Sequence, residues 1–179
     1  MLEQMTHRLQ SQRSFAAAIE TLLKDVVALH GAEFGDLQLA AGDELVIVAQ
    51  CGLTLPFLRA FQRVSQADGS ACGRALRLRR TVVIADIARD PVYAKYQRHA
   101  ETAGYRAVQS TPIVARNGRV LGVVSTMFAN PHTPTPIEIE TLGRYCEVAA
   151  EYLLKLLGNE DLATEAERMS ETLYAESVA

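Results

Sequence analysis

Asp68-Gly69-Ser70-Ala71-Cys72-Gly73-Arg74-Ala75-Leu76 is followed by Val82-Val83-Ile84-Ala85-Asp86, then by Arg106-Ala107-Val108-Gln109-Ser110-Thr111-Pro112-Ile113, then by Asn117-Gly118-Arg119-Val120-Leu121-Gly122-Val123-Val124-Ser125-Thr126-Met127-Phe128. This stretch decides the fold. A short helix over 69–80 feeds a β-branched strand over 82–85. A helical segment over 90–103 follows, with Pro91 acceptable at its first position and Gly104 ending it. Two alternating runs, 106–116 and 119–128, then flank Asn117-Gly118. That dipeptide is a strong hairpin signal, and both turn positions are expected at positive φ. Pro112 lacks an N–H, so a ladder bond is missing there or a bulge occurs. The order builds a cupped sheet with polar residues near one side and no complete catalytic set.

Upstream, Leu2, Met5, Leu9, Gln12, Ala16, Ile19, Leu23, Val26 and His30 follow a 3-4 spacing. This predicts one helix over 1–30 with a heptad seam, its first two turns covered by a partner helix. Gly31 ends it. Runs 37–41 and 44–50 read as strands around Gly42-Asp43, and 56–63 as a short helix. Downstream, Thr135-Pro136-Ile137-Glu138 is a capping box with proline at the first helical position. The helix it opens carries Leu142, Tyr145, Cys146, Ala149, Leu153 and Leu156 on one face. Residues 159–179 hold six acids and one base, Arg168, with Leu162, Ala166, Met169 and Leu173 at helical spacing. They read as an acidic helical tail leading toward an output module, outside a domain spanning 1–158. The fold class is α+β: a central antiparallel sheet, long terminal helices on one face, short helices and loops walling a pocket on the other.

The 179 residues are 49% hydrophobic with a net charge of −3, which supports one ordinary core and argues against a nucleic-acid binder. Cys51, Cys72 and Cys146 are scattered, fitting neither a disulfide framework nor a zinc site and implying a reducing cytoplasm. The apolar runs are strand-length, too short for a membrane span.

The stretch 68–128 resembles the GAF domain, the small-molecule sensory module of bacterial signalling proteins, of the kind found beside histidine kinases in two-component systems. The pieces that carry it are Gly69–Leu76, Val83–Ile87 with Asp90-Pro91, Arg106–Pro112 and Gly118–Thr126, and it extends over roughly 12–157. The resemblance implies a GAF/PAS-like sheet, a homodimer through the terminal helices, an unidentified small molecule in the pocket, and a kinase or other output module as partner. It names no cofactor. Cyclic-nucleotide-binding members carry an Asn-Lys pair, a Phe and an Asp-Glu pair, and bilin-binding members an attachment cysteine; neither set is present. Free methionine sulfoxide reductases of the family share a Gly-x-x-Cys-Gly-x-Ala stretch but add a cysteine before the hairpin, where this chain has Pro91-Val92-Tyr93-Ala94-Lys95-Tyr96.

Candidate ligand-binding residues follow. Cys72 lies near a helix start, where the dipole lowers a thiol pKa, although a small buried residue is the simpler role. Tyr93, Tyr96 and His99 share a helix face at i, i+3, i+6 and suit stacking on a planar ligand, or half-buried packing. Asp86 either accepts from a ligand or bonds loop N–H groups. Gln109 and Thr111 share one strand face and Ser110 and Pro112 the other; Ser125 and Thr126 are likewise opposed, and alternation does not tell which face lines the pocket. Gln109, Thr111 and Thr126 are taken as the pocket side. The reading is a dimeric sensory domain and not an enzyme. A ligand-free dimerisation module and a thiol-dependent sulfoxide reductase stand as alternatives.

Overall fold

A computed structural model describes residues 1–178. The hairpin is its centre: β5 (Ala107–Val114) and β6 (Val120–Phe128) pair antiparallel from Ala107 against Phe128 to Val114 against Val120. The turn differs from expectation. Gly118 alone takes the left-handed region, at φ 83°, while its N–H donates to Ala115 O and the Arg119 N–H to the Asn117 side chain. The loop is therefore three residues long, a type I turn closed by a left-handed glycine. Pro112 lies where β5 runs past the end of β4 (Val82–Ile84), whose pairing stops at Val82 against Ser110.

β1 (Phe34–Ala41) pairs with β6, and β2 (Glu44–Cys51) pairs with β1. β1 begins three residues earlier than the sequence pattern predicts. Gly35 permits this: a Cβ there would come within 2.6 Å of Val27 and 3.1 Å of the Ser125 carbonyl, so a helix and a neighbouring strand both crowd it. A short edge strand that the sequence reading lacks, β3 (Arg63–Ser65), adds to β2. The six-stranded order is β3-β2-β1-β6-β5-β4, antiparallel throughout.

The predicted helix over 1–30 is two helices, α1 (Leu2–Gln10) and α2 (Phe15–His30). Ser14, in extended conformation, caps α2 by accepting the Ala17 N–H at 3.2 Å, and that cap breaks the run. The Tyr145 and Tyr152 hydroxyls reach the carbonyls of Met5 and of Gln10 and Gln12, so α1 tracks α6 (Pro136–Leu157) in the same direction. Arg8 pairs with Asp25 at 2.6 Å, and Tyr145 donates to the same carboxylate. Met5, Leu9, Ile19, Leu23 and Val26 are buried inside this chain, in the core between sheet and helices. The heptad seam therefore meets its own fold rather than a partner helix. The capping box opens α6 as predicted, with Glu138 N–H on Thr135 Oγ1 and Thr135 N–H on the Glu138 carboxylate.

The acidic tail is also part of the packed structure. Asp161 caps α7 (Leu162–Ser177), which lies against β1 and β2. Leu162, Ala166 and Met169 enter the helix-layer core, and Leu173 and Tyr174 reach the core on the opposite side of the sheet. That opposite side is closed by α3 (Leu55–Ala60), α4 (Ala71–Leu78), two 3-10 turns (Ile87–Arg89 and Ala94–Tyr96) and α5 (Gln97–Ala103).

Candidate functional site

Strand alternation decides which side chains face the short helices. Asp36 stands opposite Ser125 in the β1–β6 ladder, and Ser125 opposite Ser110 in the next. All three point away from α2 and α6 and line a small cavity with Val108, Met127, Phe57, Phe61, Ser70, Ala71, Cys72, Tyr93 and Tyr105. The space open to the centre of a water molecule is about 10 Å³, so the walls are nearly closed.

The polar groups there largely pair with one another. Tyr93 and Tyr105 share a hydroxyl hydrogen bond of 2.7 Å, Ser110 and Ser125 one of 2.8 Å, and the Cys72 thiol donates to Ser70 Oγ at 3.4 Å. Ser70 also caps α4 through the Gly73 N–H. Asp36 is the exception. It is 3% exposed, and its Oδ1 has no hydrogen-bond partner among the described residues. Burial pushes its carboxyl up to about 7, against a smaller opposing effect of the Ser125 hydroxyl. Burial also raises Cys72, to about 12, and the neighbouring Asp36 charge adds to this. The helix-start dipole expected to lower that thiol is outweighed, because desolvation of a thiolate is the larger effect.

Of the sequence-derived candidates, Cys72 and Tyr93 line the cavity. Tyr96 stands behind it, its ring 5.6 Å from Tyr93 and 5.1 Å from Phe61, its hydroxyl on Asp68 at 2.8 Å. Asp68 also accepts from Lys95 and from the Ser65 N–H, so it pins this wall to β3. His99 is exposed on α5, edge-on to Phe61. Asp86 is outside the cavity: it accepts from the Ala88 N–H and from Arg106, whose guanidinium holds the carboxyl below the usual range.

Gln109, Thr111 and Thr126, expected on the pocket side, do not line this cavity. They point to the opposite side of the sheet, under the long helices. Thr126 meets His30 Nδ1 of α2 at 2.9 Å, Gln109 stands beside it in the ladder, and Thr111 meets Thr81 at 3.1 Å. Burial lowers the His30 pKa in this pocket of polar side chains, where the Gln109 amide has no partner among the described residues. The opposed residues Ser110 and Ser125 are the ones facing the cavity. Asp36, Tyr105, Phe57 and Phe61 were missed altogether. The signal for Asp36 was present in Asp36-Leu37-Gln38-Leu39, whose alternation sends both leucines to one face and the polar pair to the other.

Among solved structures, the fold is similar to the GAF domain of a phosphoenolpyruvate-protein phosphotransferase from Acinetobacter (13% identity over 88% of this chain and 94% of that one, TM-score 0.71). It is similar to the free methionine-R-sulfoxide reductase from Neisseria meningitidis, solved with its substrate (17%, 92% and 89%, TM-score 0.70). A bacteriophytochrome from R. palustris also matches (16%, 97% and 46%, TM-score 0.63). No curated protein matches the sequence. The family model for the GAF domain matches residues 12–153, most of the chain, and the chain belongs to that family.

Proposed function

We propose that this chain is a sensory domain of bacterial signalling that holds a small molecule between its sheet and the wall of short helices, and passes the pocket's state to its terminal helices. The observation that carries this is the buried Asp36 carboxyl, one oxygen of which has no partner among the described residues, lining a cavity walled by short helices and turns. A group of that kind is costly to bury, and a ligand offering a donor offsets the cost. Family membership, and a fold similar to that of the Neisseria enzyme solved with its substrate, support a small-molecule role. The reading includes a cytoplasmic location and a kinase or other output module as neighbour. A homodimer belongs to it through surfaces other than the heptad seam, which is covered within the chain; the outer face of α2 carries the charged pair Lys24–Glu20.

The test is a thermal-denaturation screen of the full chain against a broad metabolite panel. At least one compound should raise the midpoint, and Ala71→Leu, which fills the cavity, should remove the response. A flat response across the panel would instead support a ligand-free dimerisation module, a reading favoured by the tightness of the cavity. The reductase reading has less behind it. Cys72 is held as a thiol, while Cys51 and Cys146 pack with the core on the other side of the sheet, and thiol exchange needs a second sulfur within reach.

A further inference from the structure

We infer that the cavity selects a ligand bearing a protonated primary or secondary amine, with Asp36 as its counter-ion and the rings of Phe57, Phe61, Tyr93 and Tyr105 as its walls. This deepens the sensory reading and rests on it.

Three observations converge. First, the one unsatisfied polar atom among the cavity's lining residues is Asp36 Oδ1, which in the ionised carboxylate only accepts, so the complement that form lacks is a donor. Every other polar side chain of the lining has a partner there, in the Tyr93–Tyr105 and Ser110–Ser125 hydroxyl pairs and the Cys72–Ser70 contact. Second, the lining contains no Lys, Arg or His. An anionic ligand would meet a carboxylate with no positive charge to offset it, whereas a cation would restore Asp36 to its ionised form. Third, four aromatic rings surround the site. Phe57 stacks on Phe61 at 4.5 Å between centroids and stands edge-on to Tyr105 at 6.0 Å. Aromatic faces attract an ammonium group and shield its alkyl part from water. The cavity as it stands has room for about one water molecule, so any amine must displace the α3 or Tyr93–Tyr105 wall to enter.

The charge requirement gives the proposal a distinctive pH signature. Besides the serines, the groups that face Asp36 are Cys72 on α4, Tyr93 and Tyr105 in the wall, and Tyr174 on α7. Every titratable one of them is raised by burial, so none changes charge between pH 5 and 8. Binding an ammonium group must therefore release the Asp36 proton at low pH. Affinity should fall about tenfold per pH unit below the Asp36 titration and level off above it.

The experiment is calorimetric titration of the full chain with ethylammonium and benzylammonium chlorides, alongside ethanol, benzyl alcohol and sodium acetate at matched ionic strength. The amines should bind, the alcohols and acetate should not, and amine affinity should rise between pH 5 and 7. Asp36→Asn should weaken amine binding by about a hundredfold or more. The pH series on the unmutated chain stands by itself if that variant fails to fold. Equal binding of benzyl alcohol and benzylammonium, or pH-independent amine binding, would overturn the ammonium assignment. A response to acetate or another non-amine, abolished by Ala71→Leu, would overturn it while keeping the sensory reading. Silence of every compound, in this titration and in the metabolite screen, would overturn both.

Discussion

Because burial raises the Asp36 carboxyl to about 7 from 3.8, the folded chain holds a proton there that the unfolded chain has already released. Between pH 4 and 7 the folded state binds more protons, so the contribution of Asp36 to stability declines as pH rises across that window and is flat above it. The burial penalty at pH 8 is on the order of 4 kcal/mol. Asp36→Asn is accordingly expected to raise the urea midpoint at pH 8 and to raise it less than half as much at pH 5, where only the unfolded side chain is ionised. An equal effect at both pH values would mean that Asp36 is ionised throughout. The difficulty of reading this site from sequence has a physical origin at the same scale. β5 is buried from Ala107 to Ile113 and β6 from Leu121 to Phe128, on both faces. Where both sides of a strand are covered, the contrast between an apolar and a polar face disappears, and Gln109 with Thr126 reads the same as Ser110 with Ser125.

At the scale of elements, apolar spacing identified the helices but not where they break or what they cover. The seam from Leu2 to His30 is real as a pattern, yet Ser14 interrupts the backbone, and Asp25 draws Arg8 and Tyr145 together so that α1 docks on α6. A heptad reports an apolar stripe and leaves its partner open. The hairpin and capping box were legible because each depends on residues adjacent in sequence. α7 was half legible: its 4-3-4 spacing marks a helix, while its docking depends on β1 and β2, more than a hundred residues away. Leu162 is 2% exposed in the helix-layer core. Leu162→Ala should therefore lower stability by about 2–4 kcal/mol, measured by urea denaturation followed by circular dichroism. A loss below about 0.5 kcal/mol, the range of a surface substitution, would show that α7 does not stay docked in solution.

For the whole molecule, α3 is the short element shared by the cavity and the C-terminal helix. Phe57 lines the cavity, Leu58 O accepts from the Tyr174 hydroxyl, and Leu173 and Tyr174 pack on the cavity-side core. Arg63, just beyond α3, bridges Glu44 of β2 and Glu167 of α7 at 3.1 and 2.5 Å. A ligand that moved Phe57 or Phe61 would thus act on α7 through one short helix, in parallel with β1, which carries Asp36 and also lies against α7. Such coupling is reciprocal: loosening α7 must loosen the cavity wall. Leu173→Ala removes part of the contact from the α7 side and leaves every cavity residue in place. Native-state hydrogen exchange should accelerate about tenfold over 54–61, and by less than about threefold at the protected amides of 142–153 in α6. Comparing the two segments matters because a purely global loss of stability would speed both equally. Equal acceleration would reduce α7 to a stabilising strap, whereas a selective response at α3 would make it the route by which the cavity is read.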